Sequence, residues 1–246
     1  MDRTAAILVI GNEILTGKVE ETNARWLSGQ LFELGVRLRR IHVVPDEIDT
    51  IASTVNELRG QVDTLFTSGG VGPTHDDLTI AGIARALGRE VVRVEPLAQL
   101  LRHYYGDRCN EDVLRMADAP AGYDLLACSD KHWPVLAVEN IVILPGVPEI
   151  FRRKFESIRE RFRSAPFCLQ LVYFGVDEGL LAPHLNTLTA RFPGVAVGSY
   201  PEFSEPTYKV RVTLESKNAD EVDAATAFLR ALVPPDFLVA GPPAKA

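Results

Sequence analysis

Residues 5–10 read AAILVI, an unbroken apolar run of the kind found in strands covered on both faces of a sheet. Downstream, Ala24, Leu27, Leu31 and Leu34 recur at helical spacing, with Thr22 or Asn23 available as N-cap and Gly35 as terminator. A helix is predicted there. The rhythm then repeats. VRLRRIHVV predicts a second strand, Ile48, Ile51, Ala52, Val55 and Leu58 mark one face of a helix ending at Gly60, and VDTLFT predicts a third strand. Ile80, Ile83 and Leu87 define another helix, closed by Gly88. Such alternation predicts a three-layer α/β domain, a doubly wound and mainly parallel sheet with helices on both faces.

Residues 96–106 carry a helical pattern, whereas Pro120 and Gly122 interrupt any periodicity in 107–133, so loops and a short excursion are expected there. In VLAVENIVIL two apolar runs flank Glu139 and Asn140, which predicts a hairpin with a two-residue turn. LPGVPE then leads into a helix whose apolar face is Phe151, Phe155, Ile158 and Phe162. Ser164 to Pro166 reads as a boundary, because the residues beyond it have a rhythm of their own. Strand CLQLVYFGV, a helix with Leu181, Leu185 and Leu188, strands GVAVGSY and TYKVRVTLE, and a helix with Val222, Ala225, Leu229 and Leu232 follow in order. The expected organisation is a large domain over 1–164 and a small C-terminal α+β domain, β-α-β-β-α, over 167–240, with the tail GPPAKA frayed.

Composition narrows the possibilities. The 246 residues are 46% hydrophobic and 24% charged, with a formal net charge of -7, which excludes the basic field of proteins that bind phosphate backbones. The one basic cluster, Arg152, Arg153 and Lys154 with Arg159, Arg161 and Arg163, shares its helical pattern with Glu156 and Glu160 and reads as a solvated face. The small domain resembles KH-like units in element order but lacks a GxxG loop, so no nucleic-acid partner is expected. No apolar run is long enough to cross a bilayer, and the first one is too short for a secretory signal. Cys109, Cys128 and Cys168 form no C-x-x-C pair, which offers no zinc knuckle and fits a reducing compartment. A cytoplasmic location with no membrane partner is expected.

In an open parallel sheet the ligand crevice lies beyond the carboxyl ends of the strands. Four loops are therefore candidates: GNEILTG at 11–17, VVPDE at 43–47, TSGGVGPTHDDLT at 67–79 and LPGVPE at 144–149. In the third, glycines let backbone amides approach a ligand, and the helix start that follows suits phosphate. Asp76 and Asp77 sit at that helix start. Either can cap the helix. Alternatively, because a carboxylate facing a phosphate repels it unless a divalent cation lies between, they can hold a hard ion such as Mg²⁺, or accept a proton. Glu13, Asp46 and Asp77 then line one pocket with the loop amides.

Other prominent residues have plainer readings. His75 either touches phosphate or faces solvent, and His42, His103, His132 and His184 share no metal-ligand spacing. Trp26, Phe151 and Phe155 stand at helical spacings and read as core. GSYPEF is either a strand-edge turn or an element that reaches toward the pocket.

The motifs GNEILTG with Thr22 and Asn23, VVPDE, TSGGVGPTHDDLT and LPGVP, in that order, resemble the molybdenum-cofactor-biosynthesis domain family. That family includes the MogA- and MoaB-type enzymes, the CinA-type proteins and the N-terminal region of animal FAD synthase. The likeness spans roughly residues 5–163. VVPDEIDTIA, PVLAVENIVILPGVPEIFRRKF and GSYPEF with YKVRVTLES look most like the FAD-synthase form, which extends it into the second domain. It implies a MogA/MoaB-like fold.

In MogA-like enzymes the glycine loop and its aspartate serve adenylylation of molybdopterin with Mg-ATP, together with the aspartate of the VPD segment. Carried over, these are Asp77 and Asp46. CinA- and FAD-synthase-type domains are associated instead with metal-dependent hydrolysis of dinucleotide diphosphates. Asn12 stands where the family more often has Asp, so one carboxylate is missing. The chain leaves no room for the second catalytic domains of the larger relatives, and their deamidase and FAD-synthesising activities are not expected.

The resemblance and the loop reading together give Asp77, Asp46 and Glu13 as candidate catalytic residues, and Asp77 and Asp76 as candidate metal ligands. Candidate ligand contacts are Gly11, Asn23, Thr67, Ser68, Gly69, Gly70, Gly72, Pro73, Thr74, Thr79, Pro145, Gly146 and Pro148. The expected activity is metal-dependent cleavage of a pyrophosphate in an adenine dinucleotide, ADP-ribose or FAD. The alternatives are molybdopterin adenylyltransferase and a non-catalytic module that binds a pterin or flavin nucleotide. Expected partners are a divalent cation such as Mg²⁺, a small-molecule nucleotide or pterin phosphate with molybdopterin among the possible ligands, and a second copy of the chain in a dimer.

Overall fold

A computed structural model describes residues 3–126 and 133–242. Cys128, His132 and residues 243–246 of the tail lie outside the described residues. The chain divides into two compact units, Met1–Ser164 and Ala165–Ala246.

The first unit opens with β1 (Thr4–Ile10), α1 (Asn12–Leu15), α2 (Asn23–Glu33), β2 (Arg37–Val44), α3 (Ile48–Arg59), β3 (Thr64–Ser68) and α4 (Thr79–Leu87). It continues through β4 (Val91–Arg93), α5 (Glu95–Tyr105), α6 (Glu111–Leu114), β5 (Asp118–Pro120), β6 (Asp124–Leu126), β7 (Val135–Val138), β8 (Ile141–Leu144) and α7 (Pro148–Ile158). Six strands form one sheet in the order β2-β1-β3-β8-β7-β6. The first four run parallel, β7 is antiparallel to β8, and β6 to β7.

The unbroken apolar run of β1 has a direct cause. Side chains alternate faces along a strand, and Ala5, Ile7 and Val9 join one core with Leu27 and Leu31 of α2 and Phe151 and Phe155 of α7. Ala6, Leu8 and Ile10 join another, with Ile51 and Val55 of α3, Ile83 of α4 and Leu97 and Leu101 of α5. The sheet is thus the middle of three layers, as the sequence pattern predicts. Phe66, Phe151 and Phe155 are fully buried, and truncating such a side chain to alanine costs about 3–5 kcal/mol. Trp26 meets Phe151 and Phe155 edge-on, in keeping with its reading as core.

Helix ends follow their sequence signals in part. Gly88 closes α4 in the left-handed conformation at φ 62°, which glycine adopts without steric cost. Thr22 precedes α2 without capping it through its side chain; Glu21 Oε1 accepts from the Ala24 amide at 2.8 Å instead. At Gly82 an added Cβ would come 2.4 Å from Ile51 Cγ2. The missing side chain lets α4 lie directly on α3, which fixes where the loop between β3 and α4 must end.

Residues 107–126 are more regular than expected. β4 and β5 pair antiparallel, and β6 becomes the outermost strand of the main sheet. Three-residue strands are too short to show alternation, which is why periodicity misses them. The hairpin of β7 and β8 turns at Glu139 and Asn140 as predicted, with Glu139 at φ 51°.

The second unit runs β9 (Cys168–Phe174), α8 (Glu178–Arg191), β10 (Ala196–Pro201), β11 (Val210–Ser216), α9 (Ala219–Leu232) and β12 (Leu238–Val239). Its antiparallel sheet has the order β10-β11-β9-β12. Val172, Phe174, Val210, Val212 and Leu214 pack with Leu181 and Leu188 of α8 and Val222 and Leu229 of α9, whereas Leu169 and Leu171 are exposed. The two-residue β12 is an addition to the predicted β-α-β-β-α order. No helix among the described residues is long and apolar enough to cross a membrane.

Candidate functional site

The parallel strands deliver four loops to their carboxyl ends, and the loop after β3 is the most constrained. Gly69 has φ 100°, and a Cβ there would come 2.2 Å from the carbonyl oxygen of Ile10. Gly70 has φ 63°, and its Cβ would come 2.3 Å from Thr79 Oγ1. Both positions require glycine on conformational and steric grounds. Beneath them lie buried polar side chains: Thr67, Ser68, Thr79 and Asn23 are all at most 5% exposed. Thr79 Oγ1 donates to the Gly69 carbonyl at 2.7 Å, and the Thr79 amide donates to the Gly70 carbonyl at 3.0 Å. Asn23 Nδ2 donates to Ser68 Oγ at 3.0 Å and to the Gly146 carbonyl at 2.8 Å. Of these four candidates for ligand contact, Asn23, Ser68 and Thr79 hold the loop from below, Asn23 ties it to the loop after β8, and the Thr67 hydroxyl has no hydrogen-bond partner among the described residues. A Cβ on Gly146 would lie 3.4 Å from Gly69 Cα, so the two loops touch backbone to backbone.

Asp77 does not cap α4, whose N-cap is Leu78. Its carboxylate folds back into the loop, where Oδ1 accepts from the Gly72 amide at 2.6 Å and Oδ2 from the Thr74 amide at 2.8 Å and the Thr74 hydroxyl at 2.5 Å. These charge-assisted bonds close the loop over residues 72–77. Two amides offered by the sequence for a ligand are thereby used internally, while those of Gly70 and Val71 have no partner among the described residues. Pro73 is half-buried within this loop, and Asp76 and His75 are exposed at its tip.

The loop after β2 meets the loop after β1. The amide of Gly11, a buried residue, donates to the Val44 carbonyl at 3.1 Å, and the Asn12 amide donates to Asp46 Oδ2 at 2.8 Å. Burial holds the Asp46 carboxyl above its ordinary value; the bond from Asn12 acts the other way, and the negative charges of Glu13, Asp76 and Asp77 raise it further. Asp46 therefore senses both neighbouring loops. Glu13 is exposed, and its carboxylate occupies the space a Cβ on Gly11 would fill, 2.5 Å away. On the loop after β8, Pro145 is half-buried and Pro148 opens α7 on the surface. The catalytic candidates Asp46, Glu13 and Asp77 are thus electrostatic neighbours, with Asp76 beside them.

One residue escaped the sequence reading. A cavity of about 150 Å³ lies behind the glycine loop, lined by Gly70, Val71, Gly72 and Asp77 on one side and by Arg115 and Asp118 on another. Arg115 comes from the stretch that has no periodicity, in a 3-10 turn (Arg115–Ala117) that leads into β5. A larger cavity, about 260 Å³, is lined by Ala6, Arg39, Arg40, Leu58, Gln61 and Val62. It holds none of the loop residues and none of the site carboxylates.

Among the described residues no group of three or more His, Cys, Asp or Glu side chains is arranged to hold a metal ion. The donors at hand are carboxylate oxygens, the ligand type that hard cations take. Mg²⁺ commonly uses one or two carboxylates and completes its shell with phosphate and water.

A doubly wound sheet with a glycine-lined, acidic crevice at its strand ends defines a ligand-binding α/β domain. A family described as probable molybdopterin binding domain matches residues 6–163, and one described as FAD synthase, middle domain, matches residues 166–241. The chain belongs to the molybdopterin-binding-domain family and is CinA-like and FAD-synthase-like within it. It is 32% identical to a probable FAD synthase of Caenorhabditis elegans over 94% of its own length, and spans 50% of that relative. An Archaeoglobus fulgidus protein is also 32% identical, over 89% of this chain and 93% of its own length. The crystal structure of CinA from Thermoplasma acidophilum, a protein of unknown function, superposes with a TM-score of 0.60 at 30% identity, covering 65% of this chain and 98% of that one.

Proposed function

We propose that the first unit is a divalent-metal-dependent pyrophosphatase acting on an adenine dinucleotide such as ADP-ribose or FAD. The observation that carries this reading is the position of Asp46, half-buried, bonded to the Asn12 amide, and under the combined charge of Glu13, Asp76 and Asp77. A carboxylate whose pKa is raised is a stronger base than an ordinary one and is suited to accept a proton. In this reading the amides of Gly70 and Val71 hold a phosphate oxygen and Asp77 keeps the loop closed around them. Asp46 takes the proton of the water that attacks phosphorus, and the bridging P–O bond breaks to give two monophosphates. A divalent cation would be held by Asp76 and Asp77, and when bound would neutralise the pyrophosphate and acidify the attacking water.

The match of the second unit to the middle domain of FAD synthase supports a dinucleotide over molybdopterin adenylylation. The test is turnover of ADP-ribose, FAD, NAD and ATP with Mg²⁺, Mn²⁺ or Co²⁺. The expected outcome is monophosphate release from a dinucleotide, reduced about 100-fold or more in Asp46→Asn, the usual scale for losing a general base. Binding without turnover for every substrate and metal would leave a non-catalytic binding module as the correct reading.

A further inference from the structure

The carboxylates around the glycine loop draw attention to cations, yet the cavity behind it also presents one guanidinium that has no carboxylate partner among the described residues. Three ionisable side chains line that cavity: Asp77, Arg115 and Asp118. Asp77 is taken up by the Gly72 amide and by the amide and hydroxyl of Thr74. Asp118 is paired with Arg93, whose Nε donates to Oδ1 at 2.5 Å. Arg115 forms no ion pair and no side-chain hydrogen bond among the described residues. Its backbone, by contrast, is well fixed. Leu114 and Ala117 on either side are buried, and the Ala117 carbonyl accepts from the Val94 amide at 2.8 Å.

We propose that Arg115 and this cavity form an anion subsite for one phosphate of a nucleoside diphosphate or dinucleotide. About 150 Å³ accommodates a handful of water molecules at about 30 Å³ each. That leaves room for a tetrahedral oxyanion beside Arg115, with Leu78, Ile80, Ala81 and Val91 as the apolar part of the lining. A guanidinium presents several donors in a plane and pairs with phosphate through two of them at once. The free amides of Gly70 and Val71, which also line the cavity, give the same anion neutral donors. The inference rests on the proposed dinucleotide reading and sharpens it by adding Arg115 to the amides of Gly70 and Val71 as a holder of phosphate at the glycine loop.

A packing role is the competing explanation, since an arginine stem can cover apolar surface while its head stays in water. Arg115→Met keeps the stem and removes the charge; Arg115→Lys keeps the charge and removes the fork. The full chain would be titrated calorimetrically with ADP and with adenosine, and its dinucleotide turnover measured in parallel. The expected result is that Arg115→Met weakens ADP binding by about 10- to 100-fold, the usual effect of losing a hydrogen bond to a charged group. Arg115→Lys has a smaller effect, and neither variant changes adenosine binding or the melting temperature.

Equal ADP affinity in the wild type and Arg115→Met would overturn the subsite, even where turnover upholds the hydrolase reading. Wild-type protein that binds ADP no better than adenosine would also overturn it. Arg115-dependent ADP binding without turnover of any dinucleotide would instead keep the subsite and remove the hydrolase. Should Arg115→Met fail to fold, Arg115→Lys decides: unchanged ADP affinity counts against a fork-bound phosphate, and weakened affinity with intact melting supports it.

Discussion

The loop after β3 and the loop after β1 leave adjacent parallel strands and are built on opposite plans. The first is clamped from below by Asn23, Ser68 and Thr79, closed by Asp77, and tight enough that Gly69 admits no Cβ. The second forms a four-residue helix with no buried side chain, and Leu15 is 53% exposed. Its ties to the fold include the Gly11 amide on Val44 and the Asn12 amide on Asp46. One loop is a wall whose backbone has a single available shape; the other is a rim whose charges can adapt to what binds. Changes in the wall should therefore cost stability, and changes in the rim should cost function.

The largest expected effect tests the wall. Gly69→Ala places a Cβ against the Ile10 carbonyl at 2.2 Å, in a residue with φ 100°, so β1 and the loop must separate. A loss of more than about 3 kcal/mol is expected in urea unfolding, the range of strain at a special backbone position. Gly17 makes the matching control in the rim, because it too has a positive φ, 68°, but a Cβ there meets nothing within 4 Å. Its alanine variant should lose only about 1 kcal/mol. Equal losses at the two glycines would erase the distinction between wall and rim.

A middle-sized effect is expected at Asn23. Alanine there removes the donors to Ser68 Oγ and to the Gly146 carbonyl, and so uncouples the loops after β3 and β8. Leaving buried polar groups unpaired costs about 1–3 kcal/mol. Asn12→Ala changes a side chain that is exposed and should fall within about 0.5 kcal/mol of the wild type. Thermal unfolding of the two variants compares one residue type in both settings.

Asn23 also shows how far a sequence can be read. Its place in a motif beside the first loop marked it for the site, but only the fold shows that it works from beneath. The glycines and Asp77 were legible because few backbone shapes need that composition. The sheet was legible where strands have four residues or more, and most plainly in β1, whose two covered faces leave an unbroken apolar run. Arg115 was not legible at all. It lies between a four-residue helix and a three-residue strand, elements held by tertiary packing and too short to leave a period, and nothing local distinguishes it from Arg102 or Arg108. The partition of Asp77 toward the loop was equally hidden, because a carboxylate beside a helix start is equally suited to capping, to a metal and to its own loop.

The smallest expected effect on stability falls at the residue given the largest effect on turnover. Asp46 has a folded-state pKa above its unfolded value, chiefly through burial and then through Glu13, Asp76 and Asp77. A carboxyl of that kind contributes stability that is fully present below the unfolded pKa and is lost as pH rises through the folded one. The wild type should therefore lose stability relative to Asp46→Asn between the ordinary carboxylate range and the raised value, and run parallel to it from there to neutrality. At neutral pH the asparagine oxygen can still accept from the Asn12 amide, so the two proteins should differ by no more than about 0.5 kcal/mol. Urea unfolding across this pH range measures the difference directly. A clear loss of stability in Asp46→Asn at neutral pH would place Asp46 in the wall with Asn23. Near-equality, together with lost turnover, would assign it to the rim as a group kept at an energetic cost for what it does to a ligand.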